Sequence, residues 1–240
     1  KGGQRSVCWS IVSTSLIIKE VHMHLIIGNQ NYSSWSMRPW VAMTYFGIPF
    51  KETKLELDTA AFVEEISQHS SAGTVPVLIT ENGTATDSLS ILETLADSYP
   101  NMWPSDPALK IMARNAVSCM HSGFFALRGE MSMNCRANQR LLVITLACRS
   151  DIDKVEALWA ECMSTAAKAG QNQGYLLGEF SIADAFFAPV VVRLRGYKVA
   201  VNAATQSYMD TILGTPAVMA WIAAGLAETT ILQEDEVGYD

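Results

Sequence analysis

Charge is the first thing this sequence is short of. Only 17% of its 240 residues are Asp, Glu, Lys or Arg, where soluble domains usually carry about 25%. The hydrophobic share is 49%, so a chain of this length can bury a substantial core in one large domain or two small ones. Positive charge is scarcer than negative: 17 basic residues against 24 acidic ones leave a net charge of −7. No run of Lys and Arg forms a basic stripe, which argues against a nucleic-acid partner. Cysteine is sparse and unpaired by spacing. The five, Cys8, Cys119, Cys135, Cys148 and Cys162, are odd in number and contain no CxxC pair. That argues against a disulfide framework and a zinc site, and for a reducing, cytoplasmic compartment. The four histidines make no HExxH or similar set, so no metal is expected.

Long apolar runs are missing as well. Residues 7–18 are apolar behind Lys1 and Arg5, as in a signal peptide. Ser and Thr interrupt them, however, and about 12 residues fall short of the roughly 20 a bilayer requires. Residues 1–22 are expected to be an extension outside the folded core, with the native start near Met23. No membrane association is expected.

What is present falls into two unlike halves. His24 to Ile27 is a short apolar run stopped by Gly28, the mark of a buried strand. After a polar loop over residues 29–34, Met37, Trp40, Val41, Thr44 and Tyr45 take helical spacing until Gly47 and Pro49. Lys54 to Leu57 alternates like a strand, and Ala60 to Ser67 suits a short helix. Val77–Thr80, Asn82-Gly83 and Thr84–Thr86 suggest a hairpin with a type I′ turn. Asp87 or Ser88 then caps a helix that buries Leu89, Leu92, Leu95 and Ala96. The order β-α-β-α-β-β-α predicts a mixed four-stranded sheet over residues 23–98. Residues 99–107 hold three prolines and are expected to link to a second domain at 108–240. There only helical patterns occur: one or two helices over 108–134, a stripe at Ile152, Val155, Leu158, Trp159, Cys162, Met163 and Ala166, a helix at 181–197 bent at Pro189, and one at 216–228.

Four stretches then take on meaning together. They are Asn31-Tyr32-Ser33-Ser34-Trp35-Ser36-Met37-Arg38-Pro39-Trp40, Thr74-Val75-Pro76-Val77-Leu78, Asp87-Ser88, and Phe180-Ser181-Ile182-Ala183-Asp184. In this order and on these elements the sequence resembles the cytosolic glutathione transferases over roughly residues 23–228. The stretch from Met120-His121 to Glu130-Met131 is similar to that of bacterial members with the Tyr-Ser-Ser-Trp-Ser motif. The resemblance implies a thioredoxin-like α/β N-terminal domain and an all-α C-terminal bundle. It also implies glutathione as co-substrate, a homodimer, and a role in detoxification by conjugation to an apolar electrophile. Glutathione-dependent isomerisation or dehalogenation is chemically close. A non-catalytic binding, storage or assembly module is the alternative of a different kind.

Each motif has a physical task. A free thiol with a pKa of ~8.5 is only a few per cent thiolate at neutral pH. A hydroxyl at the leading end of a helix can donate to the sulfur while the unpaired N–H groups add positive potential. The resemblance places that role on Ser33, with Ser34 second and Tyr32 a rival donor; as plain N-caps the serines would need no ligand. With no cysteine in this loop, thioltransferase chemistry is not expected. Pro76 is similar to the family's cis-proline, which would turn the backbone of Val75 toward the cysteinyl part of glutathione. Thr74 stands where many relatives carry Lys or Arg. Asp87 and Ser88 are expected to hold the γ-glutamyl ammonium and carboxylate, although they could equally form a simple cap. Ser181 and Asp184 form a capping box with a structural role. Tyr32, Met120, His121, Phe124 and Arg128 are candidates for the second-substrate pocket.

Overall fold

The buried strand His24–Ile27 (β1) organises the N-terminal domain in the computed structural model, which describes residues 23–239. The expectations for residues 1–22, including the apolar run at 7–18, lie outside the described residues. Leu25 and Ile27 point into the main core while Ile26 points to the other face, where it meets Ile66 and Val77. Both faces of the strand are therefore covered, which explains its uninterrupted apolar sequence.

Chain order continues with α1 (Ser34–Tyr45), β2 (Lys51–Lys54), α2 (Ala60–Ser67), β3 (Val77–Thr80), β4 (Gly83–Ala85) and α3 (Ser88–Ser98). The sheet order is β2-β1-β3-β4, with β2 parallel to β1 and the other pairs antiparallel. Helices α1 and α3 cover one face, and α2 covers the other.

Three local expectations shift. The second strand lies at 51–54 rather than 54–57. It is an exposed edge, Lys-Glu-Thr-Lys, in register with His24 to Ile27, and so has no apolar alternation to betray it. The hairpin turns on Glu81-Asn82, and Gly83 already pairs with Thr80. The Thr80 hydroxyl fastens this turn, donating to the Gly83 carbonyl at 3.0 Å and accepting from Asn82 N–H at 3.2 Å. On α1, Thr44 and Tyr45 are exposed, and the buried face carries Ser36, Met37, Val41 and Ala42.

Beyond α3 a single 3-10 turn at Pro100–Met102 leads into α4 (Pro107–Ser122), which Asp106 caps and Pro107 opens. Gly123 separates it from α5 (Phe125–Glu130), since a Cβ there would lie 2.7 Å from the Cys119 carbonyl oxygen. Then follow α6 (Leu146–Lys168), α7 (Ile182–Gly196), α8 (Ala203–Leu213) and α9 (Pro216–Ala227). The α6 stripe is as expected, although Leu158 and Met163 are only half-buried. Helix α7 runs uninterrupted through Pro189, is buried along almost its whole length, and packs against both α1 and α4. Helix α8 has no counterpart in the sequence pattern. Its buried face includes Thr205 beside Tyr208, Met209 and Ile212, which blurs the apolar period, and Asn202 caps it. One continuous core joins the two domains, running from Leu25 and Met37 to Phe186, Val190 and Trp221. No single described helix is long and apolar enough to cross a membrane.

The described cysteines are all free thiols. Burial pushes Cys135 and Cys162 up to about 12 and Cys148 up to about 11. Thiolate is the reactive form. Native-state alkylation near pH 8 followed by peptide mass mapping should therefore label exposed Cys119 and leave these three unmodified. Labelling of Cys162 at a rate near that of Cys119 would contradict the packing of α6.

Candidate functional site

The loop after β1 enters α1 with Ser33 at the N-cap position, yet the Ser33 side chain caps no backbone N–H. Its hydroxyl instead donates to Ser36 Oγ at 2.8 Å, and that oxygen also accepts from Gly28 N–H at 3.2 Å. Ser34 Oγ accepts from Arg193 of α7 at 3.3 Å. Both serines are nearly buried, and both line one cavity of about 330 Å³ together with Tyr32, Trp35, Thr74 and Val75.

A second cavity of about 340 Å³ shares Trp35, Thr74 and Val75 with the first. It is completed by Pro76, Thr86, Asp87, Ser88 and His121. The two adjoin along that common wall and make one cleft. Its ends are the leading ends of α1 and α3, and its side is the stretch before β3. The Val75–Pro76 peptide is cis.

Asp87 is the N-cap of α3. Its Oδ1 accepts from Leu89 N–H at 2.8 Å and Ser90 N–H at 3.1 Å, and its Oδ2 stands 3.5 Å from His121 Nε2. One carboxylate oxygen thus orders the helix while the other faces the cleft. Ser88 is buried, and its hydroxyl has no hydrogen-bond partner. A buried hydroxyl without a partner costs about 1–3 kcal/mol, so a polar ligand group here would relieve it.

The second-substrate candidates divide. His121 lines the cleft and meets the Trp35 ring edge-on at 5.4 Å between centroids. Met120 does not line it. It is fully buried on the inner face of α4 with Ala113, Ala116 and Val117, because one residue along a helix turns the side chain by about 100°. Phe124 packs half-buried on the core at the break between α4 and α5, with a φ of 55°. Arg128 is not among the residues lining either cavity and packs on the Trp35 ring: its guanidinium carbon is 4.8 Å from the ring centroid, and Nη1 donates to the Gly123 carbonyl at 3.0 Å.

Tyr32 contributes its ring to the cleft, but its hydroxyl belongs to the C-terminal segment. That hydroxyl donates to Glu236 at 2.6 Å and accepts from Leu232 N–H at 3.3 Å and from Arg136. Burial and the Glu236 carboxylate raise its pKa. With its proton so engaged, Tyr32 is a poor donor to a sulfur in the cleft.

Ser181 and Asp184 lie away from the cleft. They form the reciprocal cap of α7, with Ser181 N–H donating to Asp184 Oδ2 at 2.9 Å.

Three residues were not singled out from the sequence. Trp35 forms the wall shared by the two cavities. Arg38 is buried between the Trp35 and Phe186 rings, with its guanidinium carbon 3.8 Å and 4.8 Å from their centroids. Arg193 holds Ser34. Lone charges inside otherwise apolar helical faces, as in Val-Val-Val-Arg-Leu, were the available signal. Among the described residues no group of His, Cys, Asp and Glu could hold a metal ion.

Residues 32–98 match the family model of the glutathione S-transferase N-terminal domain, and residues 145–224 match that of the C-terminal domain. A search of curated proteins gave no match. Solved structures similar to this chain include a glutathione transferase homolog from Burkholderia with bound glutathione, at 20% identity, TM-score 0.65, and coverage of 86% of this chain and 99% of that one. A homolog from Sulfitobacter with bound glutathione has 19% identity, TM-score 0.59, and coverage of 85% and 99%. The yeast prion protein Ure2p in complex with glutathione has 17% identity, TM-score 0.62, and coverage of 85% and 94%. At these identities the likeness to solved structures is one of fold.

Proposed function

The chain belongs to the glutathione S-transferase family, and from that premise we propose that its cleft binds glutathione and transfers the thiolate to an electrophilic, largely apolar small molecule. The observation that carries this is the single cleft joining the hydroxyls of Ser33 and Ser34 to Thr74, Val75, Pro76, Asp87 and Ser88. Glutathione offers three groups in the same order. Its sulfur meets the serine end, where a hydroxyl and the first N–H groups of α1 favour the anion. Its cysteinyl backbone pairs with Val75. Its γ-glutamyl carboxylate takes the unpartnered Ser88 hydroxyl and the leading N–H groups of α3, and its ammonium takes the outward oxygen of Asp87. The thiolate then attacks carbon, a C–S bond forms, and the leaving group departs with its electron pair.

Isomerisation or dehalogenation through a glutathione adduct uses the same first step. Binding or assembly without turnover is the second reading. The donation of the Ser33 proton to Ser36 rather than into the cleft favours it.

Calorimetric titration with glutathione, followed by a screen of chloroaromatics, epoxides and enones for conjugates, tests the proposal. Saturable binding with conjugate formation is expected. Absence of binding removes the glutathione reading altogether, and binding without any product transfers support to the non-catalytic role.

A further inference from the structure

Helix α7 is apolar through most of its core, yet it carries Arg193 with only 6% of its surface exposed. Its Nε donates to the Met131 carbonyl at 2.7 Å, its Nη2 donates to Ser34 Oγ at 3.3 Å, and its Nη1 is buried with no partner. Arg38 is 1% exposed, and its Nε and Nη1 also lack partners. Arg128 lies on the same Trp35 ring. Arg193 thus meets Ser34 while Arg38 and Arg128 pack on Trp35, both wall residues of the cleft, and among the described residues none of the three makes an ion pair with a carboxylate. Burial and mutual repulsion lower the pKa of Arg38 well below the usual arginine range and bring Arg193 to about 10. Asp87 acts on Arg38, and Asp235 on Arg193, only through the field, and buried cations with no carboxylate in contact are costly. An anion forming on the far side of Ser34 would offset that cost.

The Ser34 hydroxyl has one proton and two lone pairs. We propose that Arg193, a residue of the helical domain, is a positioning residue for the sulfur chemistry: its donation to Ser34 Oγ leaves that hydroxyl's proton to point into the cleft and places buried positive charge behind it. This rests on the glutathione-binding reading. It makes Ser34 a donor to the sulfur alongside Ser33, and it makes the thiolate depend on contact between the two domains. Arg38 adds field without touching either serine.

Four proteins decide the matter: wild type, Arg193→Gln, Ser34→Ala and the double variant. Each is titrated with glutathione by calorimetry, and the ultraviolet absorbance of the bound thiolate is followed against pH. Arg193→Gln should raise the titration midpoint by about one pH unit. In the Ser34→Ala background the same change should raise the midpoint by clearly less than it does in wild type, since the part carried through the hydroxyl is already gone and only the part due to charge remains. If wild type binds glutathione with a depressed midpoint but Arg193→Gln leaves that midpoint in place, the proposal is overturned, whatever happens to thermal stability. Full additivity with Ser34→Ala overturns it too. If Arg193→Gln does not fold, Arg193→Lys replaces it. This variant keeps the charge but loses the reach to Ser34, so it should raise the midpoint by a smaller amount, and no rise defeats the idea. Absence of glutathione binding by wild type is a different failure, that of the underlying reading.

Discussion

Asp184→Ala should destabilise the fold by about 3–5 kcal/mol, because it leaves several buried donors without their acceptor. Asp184 is fully buried. Its Oδ1 accepts from Leu176 N–H at 3.0 Å and Tyr208 O–H at 3.2 Å, and its Oδ2 accepts from Ser181 N–H at 2.9 Å and Ser181 O–H at 3.2 Å. The alanine variant strands four donors inside a packed core, and each stranded donor costs about 1–3 kcal/mol. The sum is softened by hydroxyl rotation and by partial collapse of the cavity. For a chain of this size about 1 kcal/mol moves the midpoint of thermal unfolding by roughly 2–4 °C, so a fall on the order of 10 °C is expected by calorimetry. A loss below about 2 °C would mean that the cap does not hold α7 in place.

The same group gives a pH signature. Burial holds its carboxyl up at about 6, against an ordinary value of 3.8, in spite of the four donors. The folded chain therefore binds this proton more tightly than the unfolded chain. The proton-linked part of its contribution to stability is fully present below pH 3.8 and is lost as pH rises through about 6, while the need of its four donors for an acceptor remains. Asp184→Asn, which cannot titrate, should flatten that part of the stability profile.

Ser33→Ala is expected to have the largest effect on turnover. If the Ser33 hydroxyl stabilises the bound thiolate, its loss returns the sulfur toward a free thiol pKa of ~8.5. A change of one to two pKa units is about 1.4–2.7 kcal/mol, so kcat/KM for conjugation near pH 7 should fall about 10- to 100-fold. Affinity for glutathione should change little, because the contacts proposed for Val75, Asp87 and Ser88 remain. Ser36 Oγ keeps the Gly28 N–H at 3.2 Å, so the loop itself stays anchored. For Ser33 to act, its proton must leave Ser36, and the Ser36 hydroxyl can turn to donate in its place across the same 2.8 Å contact. An unshifted thiolate titration in Ser33→Ala would take this residue out of the chemistry and leave Ser34 as the donor.

Much of this was legible from local pattern. Elements whose signals are short-range were readable: the strand at His24–Ile27, the helix at Ala60–Ser67, the capping box at Ser181 and Asp184, and Pro216 opening α9. The edge strand β2 escaped because its pairing with β1 is a long-range fact and its own residues are polar. Met120 and His121 are neighbours in sequence, and only the rotation of α4 against α7 decides which one meets the cleft. The fate of the Tyr32 hydroxyl depends on Arg136, Leu232 and Glu236, which lie about a hundred residues or more away in the chain.

On its own, the order of residues determined the two-part architecture, the caps and the motif-bearing loop, because periodicity, capping and turn chemistry act over a few residues. Only the tertiary structure decided that Ser33, Val75, Asp87 and His121 share one cleft and that Arg193 stands behind Ser34. The Arg193 contact comes from packing α1 against α7 across the domain boundary, and the cleft from α1, α3 and α4 meeting the stretch before β3. They join residues up to 159 positions apart, a distance over which no local propensity carries information.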